Sequence, residues 1–162
     1  MKVFISHQRL DKAEAKKVAD YLEACGIEVY FDKYDQQLQS AWLSGDPKGV
    51  VNAIRDGVQS STHMLVLVST NTLRSEWVPF EIGYGYDNLS VLALTLKGIE
   101  TNKIPDYIKV VPILRDIYDI DKFSKEKGNR YLMESRQITK EAGYERHPLY
   151  GVMDNIVLSG SG

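Results

Sequence analysis

Trp77 and Glu81 stand four residues apart in Trp77-Val78-Pro79-Phe80-Glu81, and on a helix that spacing puts an indole and a carboxylate on one face. An ionised carboxylate can stabilise a developing positive charge, and an aromatic wall beside it can stack on a flat ring and exclude water. The pair follows the apolar run Met64-Leu65-Val66-Leu67-Val68, which reads as a buried parallel strand closed by the turn-forming cluster Ser69-Thr70-Asn71-Thr72. In an open parallel sheet, small molecules bind in the crevice beyond the carboxyl ends of the strands, so the segment is a candidate active site. Each residue also has an ordinary reading, Glu81 as a helix-start carboxylate favoured by the dipole and Trp77 as core. Phe80 and Ile82 read as core.

The elements that must position this pair alternate. Val3-Phe4-Ile5 opens as a short strand. Asp11, with Glu14 three residues on, makes a capping box that starts a helix through Cys25, with Ala15, Val18, Ala19 and Leu22 inward and Gly26 as its stop. Residues 27–31 form a second strand. Residues 33–46 show no clear periodicity and read as a long loop, which in a compact domain is functional or disordered. Asp46-Pro47 starts the next helix, with Val50, Val51, Ile54 and Val58 on its inner face. The strand at 64–68 follows, then the Trp77 helix to about Tyr86, a strand at 91–94, and a fifth at 110–114 that Pro112 confines to a sheet edge. Such alternation implies a parallel sheet with helices on both faces. Ile120, Phe123, Tyr131 and Leu132 suggest one or two covering helices broken near Gly128.

The 162 residues fit one domain, 1–158, with a core at 1–115 and covering helices at 116–158. Ser159-Gly160-Ser161-Gly162 reads as a linker or frayed end. Net charge is −2 with acids and bases interleaved, so no basic stripe points to nucleic acid. The apolar runs are strand-sized, so neither a membrane span nor a signal peptide is expected, and the cytoplasm is the expected compartment. A lone cysteine, Cys25, and three scattered histidines lead us to expect neither a disulfide nor a metal site. His63 reads as structural. Gly83-Tyr84-Gly85-Tyr86 lacks the third glycine of a dinucleotide fingerprint and lies within a helix, so it fails that motif's context.

The order of these elements resembles a TIR (Toll/interleukin-1 receptor) domain. Val3-Phe4-Ile5-Ser6-His7 is similar to its first box, Tyr30-Phe31-Asp32 and the stretch to Lys48 to its second strand and BB loop. Leu67-Val68-Ser69 with Ser75-Glu76-Trp77-Val78-Pro79-Phe80-Glu81 resembles its third strand and the Ser-x-Trp-x-x-x-Glu segment of enzymatic members. The resemblance implies a flavodoxin-like doubly wound sheet of five parallel strands, order 2-1-3-4-5. It further implies a stand-alone NAD-cleaving enzyme of the antiphage (Thoeris-like) type, an NAD+ nucleosidase or ADP-ribosyl cyclase. Such an enzyme releases nicotinamide and makes ADP-ribose or a cyclic isomer, a messenger in antiviral defence for a separate effector. NAD is then substrate, with no bound cofactor. Glu81 would be catalytic and Trp77 a substrate wall. Ser6, His7, Arg9, Asp32, Lys48 and Ser69 would meet ribose or phosphate, Arg9 being best suited to a diphosphate, although surface polarity or turn capping explains several equally. Trp42 and Leu43 would anchor self-association through TIR–TIR contacts, with the 33–46 loop completing a neighbour's site. Two alternatives stay open: a non-catalytic TIR–TIR adaptor, and a nucleoside deoxyribosyltransferase-like enzyme, which shares the sheet topology and a catalytic glutamate.

Overall fold

A computed structural model describes residues 1–128 and 147–155. Five strands run parallel: β1 (Lys2–Ser6), β2 (Glu28–Tyr30), β3 (His63–Val68), β4 (Ser90–Thr95) and β5 (Ile113–Leu114), in the order β2-β1-β3-β4-β5. The helices are α1 (Lys12–Ala24), α2 (Asp32–Leu43), α3 (Pro47–Gln59), α4 (Trp77–Tyr86), the single turn α5 (Asp106–Lys109) and α6 (Ile117–Lys127). Alternate side chains along each strand feed two cores, as a pleated sheet buried on both faces requires. Val3, Ile5, Leu65, Leu67 and Leu94 meet α1, α6 and the segment around Leu149–Met153, while Phe4, Met64, Val66, Val68 and Ala93 meet α2, α3, α4 and α5. Ser6, two residues on from Phe4, shares its face and so falls on the α2–α4 side. The strand order reverses between β1 and β3, which makes the gap beyond their carboxyl ends the topological switch point.

Several expectations need correction. Residues 33–46 are no loop: α2 occupies most of them, and the connection to α3 shrinks to Ser44-Gly45-Asp46, with Gly45 at φ +61°. Tyr34, Leu38 and Ala41 lie at i, i+4 and i+7 and bury one stripe against α3, enough apolar surface to hold a helix that is otherwise mostly polar up to Trp42 and Leu43. The capping box on α1 does not form. Asp11 closes a 3-10 turn (Arg9–Asp11), and its carboxylate accepts hydrogen bonds from Ser69 Oγ and, at 2.8 Å, from Asn71 Nδ2. Donors from the end of β3 have outcompeted the local cap. The fifth strand contains only Ile113 and Leu114 at the edge, because Val110 and Val111 leave α5 before Pro112, which has no N–H to give a ladder. Phe80 is exposed rather than core, stacked on Tyr84 along the outer face of α4. Tyr131, Leu132 and the 159–162 tail lie outside the described residues.

Gly57 lets α3 approach the sheet closely. A Cβ there would stand 2.6 Å from the Phe4 ring, which is fully buried and gripped edge-on by Tyr30 and Tyr34. We expect Gly57→Ala to cost about 1–2 kcal/mol, overpacking outweighing the better helix propensity. Urea denaturation checks this; an unchanged midpoint would show that the Phe4 ring has room to move.

Candidate active site

The segment before α4 is tied down locally. Thr72 and Ser69 bond one another across the turn after β3, and Ser75 Oγ accepts the Trp77 N–H at 3.1 Å to start the helix. Pro79 falls in the first turn, where its missing N–H costs nothing. Helical periodicity then turns Val78, Glu81, Ile82 and Gly85 inward together. Glu81 therefore enters the apolar side of the molecule and is only 4% exposed. That excludes the solvated helix-start reading.

Two hydroxyl groups hold its carboxylate. Ser6 Oγ, at the end of β1, donates to Oε2 in a short contact, and Tyr34 OH, from the first turn of α2, donates to Oε1 at 3.2 Å. Burial pushes the Glu81 carboxyl up to about 8, with the Tyr34 hydrogen bond opposing. Burial likewise lifts the Tyr34 phenol well above its ordinary value, so it remains a donor.

Glu81 faces a narrow crevice at the switch point. His7, Arg9, Leu38, Trp42, Trp77 and Val78 contribute to its walls. Trp77 is half-buried, its ring edge-on to Phe80 at 6.0 Å. The Arg9 guanidinium lies 4.7 Å from the centre of the Trp42 ring, a cation–π contact that holds both side chains at the mouth. The crevice has about 20 Å³ of free space, room for about one water.

His7 is 2% exposed, with Nε2 at 3.2 Å from Asp35 Oδ1 and Nδ1 at 3.4 Å from the Ile5 carbonyl. Lys12 Nζ reaches the other Asp35 oxygen at 3.2 Å. Burial holds the imidazole below its ordinary value despite the Asp35 bond; on Asp35 burial pushes upward, but the His7, Lys12 and Gln39 contacts outweigh it and leave the carboxyl low. The imidazole is held between Asp35 and the Ile5 carbonyl, so His7 braces α2 and forms part of the crevice wall.

Of the residues singled out from sequence, Glu81, Trp77, His7, Arg9 and Trp42 come together at the crevice. Ser6 lies behind Glu81, bonded to it and buried, rather than facing a ligand. Ser69 is occupied by Asp11 and the Thr72 turn. Asp32 is an exposed residue in the first turn of α2, where its charge suits the helix dipole, and Lys48 is an exposed residue in the first turn of α3. Among the described residues that line the crevice, none of Asp32, Lys48 and Ser69 appears. Leu43, in the last turn of α2, is 87% exposed and points away from the core. Tyr34 and Asp35 were missed, because a stretch read as loop offered no reason to place them inward. For Tyr34 the signal was the 34, 38, 41 spacing.

The family model for the TIR domain matches residues 3–133 of the chain. A Bacillus cereus (strain MSX-D12) protein named "Probable 3' cyclic ADP-D-ribose synthase ThsB'" is 28% identical over 131 residues, which cover 80% of this chain. The chain spans 56% of that relative's length. No helix among the described residues is long and apolar enough to cross a membrane.

Proposed function

The chain belongs to the TIR domain family, and from that premise we propose that it cleaves NAD at the nicotinamide–ribose bond, releasing nicotinamide and a cyclic isomer of ADP-ribose or ADP-ribose itself. The observation that carries this reading is Glu81: a buried carboxylate, its two oxygens held by Ser6 and Tyr34, facing an aromatic-walled crevice at the switch point. The name of the Bacillus cereus relative supports a cyclic product.

Little machinery is required. When the C–N bond breaks, its electron pair returns to the pyridinium nitrogen and nicotinamide leaves neutral, so no general acid is needed. The ribose left behind resembles the oxocarbenium ions that carboxylates stabilise in glycoside cleavage. An ionised Glu81 meets that charge in a site from which water is largely excluded, where a fixed charge has most effect. An adenosine atom or a water then bonds to C1 of the ribose and gives up a proton. A carboxyl raised to about 8 is a competent acceptor for it.

The pH dependence follows. The ionised form is the active one and its pKa in the free protein is raised, so kcat/KM for NAD should climb as pH rises through about 8 and level off above it. A profile flat from pH 6 to 9 would mean that Glu81 does not titrate in the free protein.

The proposed role is a messenger in antiviral defence, produced for a separate effector. TIR–TIR self-association is part of the reading, with exposed Leu43 and Phe80 as apolar contacts. Because Trp42 lines the crevice of its own chain, we expect a mixture of Glu81→Gln and Trp42→Ala proteins to remain inactive. Recovered activity on mixing would instead put a neighbour's α2 into the site. Incubation with NAD tests the function: nicotinamide release supports it, an inert protein supports an adaptor, and turnover of deoxynucleosides alone supports a deoxyribosyltransferase.

A further inference from the structure

We propose that Tyr34 is a positioning residue for Glu81: its phenol, with the Ser6 hydroxyl, fixes the plane of the carboxylate and favours its ionised form, making α2 part of the catalytic apparatus. The proposal rests on the reading of Glu81 as the charge that meets the oxocarbenium.

The geometry has three parts. Tyr34 OH reaches Oε1 at 3.2 Å while Ser6 Oγ takes Oε2, so each carboxylate oxygen has one fixed donor and still has a lone pair for the crevice. Tyr34 itself is fully buried and cannot swing, since Phe4 packs against its ring edge-on at 4.6 Å and His7 at 5.3 Å. Finally, Tyr34 shares α2 with Asp35, which bonds His7, and with Leu38 and Trp42, which line the crevice. One helix thus spans from the back of the carboxylate to the mouth of the site. A hydrogen bond donated to a carboxylate stabilises its charge at the expense of the neutral acid. Here it works against burial, the largest influence on Glu81.

The polar and charged groups around this bond come from four elements. Ser6 and His7 belong to β1 and its end, Arg9 to the following turn, Tyr34 and Asp35 to α2, and Glu81 to α4. Asp35 is engaged by Lys12 and His7. Among the described residues, the hydrogen bonds of the Glu81 carboxylate are with the two hydroxyls, so removal of either should act on its ionisation and not merely on packing.

The experiment uses Tyr34→Phe, which keeps the ring and removes the donor. The Glu81 carboxyl is titrated by carbon NMR in protein labelled at the glutamate carboxyl carbon, with Glu81→Gln assigning the signal, and kcat/KM for NAD is measured across the same pH range. We expect the Glu81 midpoint to rise by about one unit. The acid limb of the rate profile should move with it, giving roughly a tenfold loss at pH 7 that recovers toward the wild-type plateau in alkali. Ser6→Ala, acting on the other oxygen, should move both in the same direction, and it supplies the test if Tyr34→Phe does not fold. An unmoved midpoint, or a loss equal at every pH, would overturn the proposal. The titration reads Glu81 directly: a wild-type protein that releases no nicotinamide would refute the proposed function, whereas a midpoint insensitive to both substitutions would refute the role of Tyr34 alone.

Discussion

Glu81→Gln should lose nicotinamide release by a factor of about 100 or more while becoming more stable than the wild type. The two effects have one cause. Gln preserves the shape of the side chain and can still accept a hydrogen bond from Ser6 or Tyr34, but it removes the charge facing the oxocarbenium. Loss of such a group is commonly worth about 3 kcal/mol of transition-state stabilisation. For stability, the sign runs opposite to that of a salt-bridged carboxylate. Burial raises the folded-state pKa from 4.5 to about 8, so the folded protein binds the proton more tightly than the unfolded chain. The stability associated with that proton is complete below about pH 4.5 and is lost as pH rises through about 8. A neutral Gln escapes that loss. Its advantage should be small near pH 5 and grow to on the order of 2–4 kcal/mol by pH 8. Chemical denaturation of both proteins at the two pH values checks it. A variant less stable at pH 8 than the wild type would mean that the Ser6 and Tyr34 bonds outweigh burial. Near wild-type turnover in a folded variant would remove Glu81 from the chemistry.

Trp77→Ala should reduce turnover by about 10- to 100-fold and shift the remaining product toward linear ADP-ribose. The indole forms one wall of the crevice beside Glu81 and rests edge-on against exposed Phe80. Its removal opens a narrow site to solvent, and water then competes with the adenosine group for C1 of the ribose. Because Trp77 is only half-buried, the fold should survive, with a loss on the order of 1–2 kcal/mol for the lost packing. Mass spectrometry of the products, with a thermal melt of the same sample, separates the effects. An unchanged ratio of cyclic to linear product would assign Trp77 to packing; a variant that unfolds would assign it to the core.

A parallel sheet and the placement of Glu81 were legible because they depend on strong, redundant signals, whereas the strand order came from the resemblance to TIR domains. Apolar runs such as Met64–Val68 have few places to go except a sheet interior, and the i, i+4 relation of Trp77 and Glu81 is a property of any helix. The burial of Glu81 could not be read this way, since it depends on Ser6 and Tyr34 arriving from β1 and α2. The 33–46 stretch failed for a related reason. With Gln36, Gln37, Gln39 and Ser40 interspersed, its apolar stripe of Tyr34, Leu38 and Ala41 is too thin to stand out until α3 is packed against it. Asp11 shows the opposite case, a sound local capping signal overridden by tertiary donors on Ser69 and Asn71. Ser69, Asp32 and Lys48 show that a residue near the right end of a strand or helix need not face the crevice.

On the proposed function, this TIR domain breaks the nicotinamide–ribose bond of NAD with Glu81 as the essential charge. The most direct measurement is mass spectrometry of NAD incubated with the purified protein and, in parallel, with Glu81→Gln. The expected result is free nicotinamide together with a product at the mass of cyclic ADP-ribose, or 18 mass units higher (about one water) where hydrolysis competes, and neither from the variant. Intact NAD after prolonged incubation with concentrated wild-type protein, or equal turnover by both proteins, would contradict it.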